Sequence, residues 1–172
     1  MSLKMCPKAK MSVVPSGNWA DKAFFYHIYP LGFCGAEKNN DFQMPPVSRL
    51  AKVMEWLPHI KKLGADTLYI GPLFEASAHG YDTADYFHVD RRLGCNEDLR
   101  LLAQTLHACG MKLVLDAVFN HVGRHFFAFQ DVLRHKEKSA YCPWFCLDFS
   151  KDNHYGDGFC YEGWAGCDDI VK

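Results

Sequence analysis

Three apolar runs, AFFYHIYP (23–30), TLYIGP (67–72) and MKLVLDAVF (111–119), alternate with two stretches of helical spacing, and this alternation constrains the fold more than any other feature. The runs are rich in aromatic, β-branched and leucine residues, so they read as strands buried on both faces. Between the first two runs, Leu50, Val53, Met54, Leu57, Ile60 and Leu63 recur at helical intervals. Ser48 stands where an N-cap would, Gly64 where the helix would stop, and Pro58 predicts a kink or a split inside it. Ahead of the third run, Asn96 stands as a cap with Glu97 and Asp98 in the first turn, where carboxylates favour the helix dipole. Leu99, Leu102, Leu106 and Cys109 supply the inner stripe of that second helix, and Gly110 ends it.

The order β, α, β, α, β with continuously apolar strands predicts a parallel sheet covered by helices. An open doubly wound sheet and a (β/α)8 barrel both fit. LGFCGAEKNN after the first strand lacks GxGxxG spacing and opens no helix at once, which lowers the dinucleotide-binding alternative. The segments after the strands (31–46, 71–94 and everything from 120) are long, while the turns leading into the second and third strands are short. A barrel with its working face at the C-terminal strand ends has this asymmetry. Three strands cannot close a barrel. The expected architecture is therefore an α/β chain holding the first three strands of a partial (β/α)8 (TIM) barrel. A flexible leader spans 1–22, the barrel part 23–119, and an irregular, aromatic-rich, incomplete insertion with no evident helix 120–172. The unpaired edge of the third strand predicts poor solubility or association.

Composition excludes several function classes. Hydrophobic residues make up 49%, enough for one sizeable core, and the net charge of -1 offers no basic footprint for nucleic acid or a membrane surface. No apolar run approaches the roughly 20 residues that span a bilayer. MSLKMCPKAKMSVVPSG has lysines without a following apolar stretch, so it is not read as a secretory signal, and Met5 or Met11 is a candidate native start. Eight cysteines stand at 6, 34, 95, 109, 142, 146, 160 and 167. The only close pair, in CPWFC, lacks CxxC spacing. Free thiols in a reducing cytoplasm are the favoured reading, with disulfides or a metal cluster as the alternative.

Every unusual polar cluster follows a strand. GPLFEASAHGYDTADYFHVDRRLG (71–94) gathers His79, Tyr81, Asp82, Asp85, Tyr86, His88 and Asp90. LDAVFNHVG (115–123) carries Asp116 inside an apolar run and ends towards Asn120 and His121. An unpartnered carboxylate is costly in a buried strand. If the strand runs to residue 120, alternation places Asp116, Val118 and Asn120 on one face, with Asp116 pointing into the barrel mouth.

SAHGYDTADYFHVD and DAVFNH resemble two motif regions of the α-amylase family of retaining glycoside hydrolases. YHIYPLGF and IKKLGADTLYIGPLFE are similar to that family's first strand and first helix-strand passage, and the segment after 120 to its domain B insertion. YDTADY is most similar to the cyclomaltodextrinase, neopullulanase and maltogenic amylase branch. The resemblance implies that Tyr81 stacks on the sugar ring before the cleaved bond, as a flat amphipathic ring can. A rim tyrosine packed on its loop is the plainer alternative. It implies that His121, and with it His79, hydrogen-bonds the substrate; a capping or core histidine is the alternative for His121, and a simple loop donor for His79. Asp116 would be a structural aspartate holding the arginine beside the nucleophile, or a carboxylate paired with some other cation. Asp85 would brace its loop, and Asn120 would orient its own and, in many relatives, bind calcium. Asp82, His88 and Asp90 are expected to be solvated loop residues.

The resemblance implies no required cofactor beyond that variable calcium. It implies an α-glucan oligosaccharide as partner, together with the remainder of the catalytic barrel. Retaining glycosidases need two carboxyl groups about 5 Å apart. No G-x-R-x-D segment, the family's nucleophile motif, occurs in the sequence. The expectation is a chain that supplies substrate-binding residues but no catalytic nucleophile or acid/base. A truncated, non-catalytic glucan binder is the second reading, and a small unrelated α/β domain the third.

Overall fold

The apolar runs do form strands, though shorter ones than their sequences suggest. A computed structural model of the chain describes residues 17–164 and 169–172. Most of the expected leader, with Met5, Met11 and Cys6, lies outside the described residues, as does Cys167. In chain order the elements are β1 (Phe25–Ile28), α1 (Pro30–Cys34), α2 (Ala51–Lys62), β2 (Thr67–Ile70), β3 (Phe74–Ala76), β4 (Thr83–Val89) and α3 (Asn96–Ala108). They continue as β5 (Lys112–Leu115), β6 (Val122–Gly123), α4 (Phe127–His135), β7 (Leu147–Asp148), β8 (Cys160–Tyr161) and β9 (Ile170–Val171).

β1, β2 and β5 make one parallel sheet with β2 in the middle, in register from Phe25, Thr67 and Lys112 to Ile28, Ile70 and Leu115. Leu68 and Ile70 of β2 are wholly buried, as the central strand of a covered parallel sheet requires. Val53, Leu57 and Ile60 of α2 and Leu102 and Leu106 of α3 close on it, forming the main core with Leu50 and Leu73. α2 runs unbroken through Pro58. The proline has no N–H to give the Met54 carbonyl, but the buried stripe on either side keeps the turns together.

The expected caps are misplaced. Leu50, not Ser48, precedes α2; Ser48 Oγ donates to Asp98 at 3.2 Å instead. α3 begins after Cys95, whose N–H donates to Asp98 at 2.8 Å. The Asn96 carboxamide is turned towards β4, accepting from Val89 N–H and donating to the Phe87 carbonyl, each at 2.9 Å.

The two regions read as loops hold structure. Pro30 at the first position of α1 and Gly35 after it, at φ +67°, fit that short helix. β3 and β4 pair as an irregular antiparallel hairpin bulged around Glu75. β5 stops at Leu115. The Asp116 N–H still reaches the Ile70 carbonyl at 3.0 Å, but Val118 sits at φ +37°, so strand alternation does not carry to Asn120. The expected shared face of Asp116, Val118 and Asn120 is therefore absent.

Residues 120–172 are more ordered than their sequence suggests. β6 pairs with β9, β7 with β8, and α4 spans a stretch read as lacking a helix. Its entry residue, Phe126, makes no side-chain cap, which is why no polar start signal betrays it. Phe129, Val132, Phe159 and Val171 form a second core. No helix among the described residues is long and apolar enough to cross a membrane, and the six described cysteines are all free thiols.

Candidate functional site

At the C-terminal ends of β1, β2 and β5, the tip of the β3–β4 hairpin is held by two buried carboxylates that were expected to be solvated. Asp90 is 1% exposed and grips Arg92, which donates from Nε at 2.9 Å and from Nη2 at 2.7 Å. The wholly buried Arg92 guanidinium also donates to the carbonyls of Glu37, Lys38, Ala78 and Ala76, tying the segment after α1 to the hairpin tip. Burial works against its charge, but the hydrogen bond and charge of Asp90, with Asp82 and Glu75 nearby, outweigh it and hold Arg92 more firmly protonated than usual. Asn40 joins the same scaffold, donating to Glu75 at 2.9 Å and to the Ala76 carbonyl at 3.0 Å.

Asp82 folds the tip itself. Also 1% exposed, it accepts from the N–H groups of Ala78 at 2.7 Å and Gly80 at 3.0 Å. Gly80 lies at φ +89° with a Cβ position only 2.9 Å from the Pro72 side chain, so glycine is required there. His88 is exposed as expected, its Nδ1 at 2.8 Å from Asp85. Asp85 also accepts from the Phe87 N–H at 2.7 Å, so both its oxygens bond within β4.

The tip presents His79 and Tyr81. The Tyr81 N–H donates to His79 Nδ1 at 3.2 Å, which leaves the imidazole proton on Nε2, facing Asp169 at 3.5 Å. Tyr29 donates its hydroxyl to the His79 carbonyl at 2.8 Å. From the other side, His121 Nε2 lies 3.0 Å from the Tyr81 carbonyl. A carbonyl only accepts, so this nitrogen carries the proton and Nδ1 is left as an acceptor towards Asn120 Nδ2 at 3.3 Å. Trp164 stacks on the His121 ring at 5.8 Å. His79 thus contacts Tyr81 from within the tip, and His121, with Asn120 behind it, contacts the Tyr81 carbonyl from the other side, while the Tyr81 side chain is 39% exposed.

Asp116 lies just past the sheet, close enough to act on Tyr69 and Tyr81. Burial first, then a hydrogen bond and the charge of Asp116, push the Tyr69 phenol up to about 12. The Tyr81 phenol is raised by burial and by the same charge. No Lys, Arg or His among the described residues forms an ion pair with Asp116. The backbone between Asp116 and His121 is fixed by Tyr86, whose hydroxyl donates to the Val118 carbonyl at 2.6 Å and approaches the His121 carbonyl at 3.1 Å. Gly123 then passes so close to the hairpin that an added Cβ would meet the Asp82 carbonyl oxygen at 2.2 Å. Arg92, Tyr29, Tyr69, Trp164 and Gly123 all shape this site and were not singled out from the sequence. Only Gly123, in NHVG, carries a local cue.

Among the described residues, the metal-type donors that converge are His79, Asp82 and Asp169, whose ligand atoms lie within 4.8 Å of one another. Asp82 already holds two backbone N–H groups and His79 Nδ1 a third, so the set is committed to shaping the loop.

The family profile described as "Alpha amylase, catalytic domain" matches residues 27–169. This chain belongs to the α-amylase family. Both motif regions and every site residue named above lie inside the matched span, Asp169 at its edge. A family member, neopullulanase 2 of Thermoactinomyces vulgaris, is 36% identical over 156 residues, covering 81% of this chain and 26% of its own length. A cyclomaltodextrinase of Bacillus sp. is 40% identical over 141 residues, covering 74% of this chain and 25% of its own. The solved cyclic α-maltosyl-(1→6)-maltose hydrolase of Arthrobacter globiformis superposes with a TM-score of 0.74 at 33% identity, over 90% of this chain and 38% of that one. The chain therefore spans about a quarter of the length of these curated family relatives.

Proposed function

We propose that this chain is an N-terminal portion of the catalytic domain of a glycosidase that cleaves or transfers α-glucosidic bonds in maltooligosaccharides, cyclodextrins or starch-like glucans. β1, β2 and β5 would be the first three strands of its (β/α)8 barrel, and 120–172 a domain B-like insertion. The parallel sheet and the separate core around Phe129 support that division. The observation that carries the functional reading is the contact of His121 Nε2 with the backbone carbonyl of the exposed Tyr81, 3.0 Å away, at the C-terminal strand ends, where barrel enzymes place their chemistry.

In this reading the exposed Tyr81 ring takes the apolar face of one glucose, and His121 and His79 take its hydroxyls. To donate to a sugar, His121 must exchange the Tyr81 carbonyl for the hydroxyl, since Nε2 carries its only proton. Asp116, without a cation among the described residues, awaits the arginine that flanks the nucleophile. Asp85 braces β4. Asn120 supports the His121 loop and, with calcium present, would offer its carboxamide oxygen to the metal. The sequence holds no G-x-R-x-D segment, so the nucleophile and acid/base of a retaining mechanism would come from the remainder of the barrel. No organic cofactor enters this chemistry. The six free thiols support a cytoplasmic setting.

A second reading is a glucan-binding chain without turnover. Calorimetry with maltohexaose and a reducing-sugar assay test both. The chain should bind, and both Tyr81→Ala and His121→Ala should weaken binding. Release of reducing sugar by the 172-residue chain would overturn the assignment of catalysis to the remainder, and unchanged binding in both variants would overturn the site.

A further inference from the structure

A cavity of about 560 Å3 opens on the insertion where α4 ends, and none of its lining residues takes part in the Tyr81–His121 contact. Its volume falls among those of small-molecule sites, about 300–1,000 Å3. Arg134, Lys136 and Lys138 line it with a single carboxylate, Glu137, and Phe149 and Gly158 complete the wall. The chain as a whole has a net charge of -1, so this is a local concentration of basic charge. It also depends on the backbone. In a continued helix, Lys136 would point about 200° round from Arg134. Instead α4 ends at His135 and Lys136 takes φ +52°, a conformation that costs a non-glycine residue free energy. Its N–H donates to the Val132 carbonyl, and its own carbonyl accepts from the Ser139 N–H at 3.0 Å and the Cys142 thiol at 3.2 Å. That reversal lets all three cations line one cavity.

Basic residues at a helix C-terminus commonly offset the macrodipole, but the dipole amounts to only about half a charge. The carboxylates that could neutralise the rest are engaged elsewhere. Asp131 accepts from Ser139 Oγ at 2.5 Å and faces His135 Nδ1 at 3.0 Å, while Asp157 holds Arg124 at 2.8 and 3.0 Å. Lys136 Nζ donates to the Asp157 backbone carbonyl at 2.5 Å, which orients the ammonium without cancelling its charge. Neither Arg134 nor Lys138 forms an ion pair among the described residues.

A guanidinium and two ammonium groups around one cavity suit the three oxygens of a phosphomonoester, which carries about two negative charges at neutral pH. A halide has no oxygens to share among these donors, and inorganic phosphate would fill only part of the volume. Phe149, half-buried and 5.2 Å from the Phe159 ring, offers an apolar wall to an organic body. A nucleic acid strand needs a track of basic charge, and three cations in one cavity do not make a track.

We propose that this cavity binds a small organic phosphomonoester, its phosphoryl oxygens taken by Arg134, Lys136 and Lys138 and its organic part resting on Phe149. The site does not depend on the glucan reading above. A free sugar phosphate and a phosphate ester carried on a glucan chain present the same chemistry to it.

Amide NMR titration of the 172-residue chain with glucose 6-phosphate, inorganic phosphate, glucose and 6-phosphorylated maltohexaose tests this. Glucose 6-phosphate should move the Lys136 and Gly158 amides saturably, inorganic phosphate should bind about fivefold more weakly for want of a ring contact, and glucose should leave both amides still. Arg134→Gln and Lys138→Gln should each weaken binding about fivefold, the worth of one unit charge about 4 Å away in water, and Glu137→Gln should strengthen it by a similar factor. Stationary amides, inorganic phosphate binding as tightly as the sugar phosphate, or a Glu137→Gln variant that binds no more tightly overturns the proposal. Phosphorylated maltohexaose binding more tightly than glucose 6-phosphate at these amides identifies a glucan-borne ester as the source, and equal or weaker binding a free sugar phosphate. Unphosphorylated maltohexaose should bind Arg134→Gln as it binds the unaltered chain, so this site and the Tyr81–His121 reading stand or fall separately.

Discussion

Replacing Arg92 with methionine removes the guanidinium while keeping an apolar stem of similar reach. The change strands the Asp90 carboxylate, 1% exposed, with only the N–H groups of Ala76 at 3.2 Å and of residue 92 at 3.0 Å as donors. It also strips a donor from the carbonyls of Glu37, Lys38, Ala76 and Ala78. Breaking one partner of a buried ion pair costs about 3–5 kcal/mol, and the bereft carbonyls push the cost towards the upper end. With a urea slope of about 2 kcal/mol/M, a loss of about 4 kcal/mol lowers the unfolding midpoint by about 2 M. Urea titration followed by fluorescence reads this directly. The Asp90→Asn, Arg92→Met double variant should lose less than Arg92→Met alone, because no unpaired charge remains, whereas independent sites would add. Hydrogen exchange at Ala78 and Gly80 should quicken in Arg92→Met, since their N–H groups belong to the tip it anchors. A midpoint shift below about 0.5 M, well under the range for a buried pair, together with a double variant no better than the single, would show that Arg92 is not what holds the hairpin tip in place.

Two further changes probe the site directly. Tyr69 is raised to about 12 by burial and then by Asp116, while an unfolded tyrosine ionises near 10. Its contribution to stability is complete below about 10, falls as the unfolded chain alone ionises, and is gone by about 12. The thermal midpoint should therefore drop across that window more steeply in the unaltered chain than in Tyr69→Phe. Asp116→Asn should lower the tyrosinate absorbance midpoint, and no change there would remove Asp116 from the vicinity of Tyr69. Gly123→Ala drives a Cβ to 2.2 Å from the Asp82 carbonyl oxygen, and backbone meeting side chain in this way costs about 1–3 kcal/mol or more. It should both destabilise the chain and weaken maltohexaose binding by parting His121 from Tyr81, and a variant of unchanged stability would refute the close approach.

What could be read from residues alone follows a physical line. β2 was legible because a central parallel strand must be apolar on both faces, and TLYIG has no other use. α4 was not, since it enters through Phe126 without a polar cap and its apolar residues look like part of an aromatic loop. Asp82 and Asp90 looked solvated because Gly- and Asp-rich stretches usually are. Their burial depends on backbone N–H groups that curl back over a few residues, and, for Asp90, on an arginine two positions on, two of whose other partners, Glu37 and Lys38, lie more than fifty residues away in sequence. Asp116 is the most instructive. A carboxylate inside an apolar run looks like a strand residue in need of a partner, yet the strand ends one residue earlier. Val118, a β-branched residue, is then held at φ +37°, a conformation that costs of order 1–3 kcal/mol and that no propensity would assign to it. Tyr86 holds it there by donating to its carbonyl at 2.6 Å, and the same hydroxyl reaches the His121 carbonyl. The strained turn is thus what swings Asn120 and His121 off the sheet direction and towards Tyr81. Were Tyr86 replaced by phenylalanine, the packing would survive but the restraint on the turn would not, and the Tyr81–His121 contact on which the proposed glucan binding rests would be expected to loosen with it.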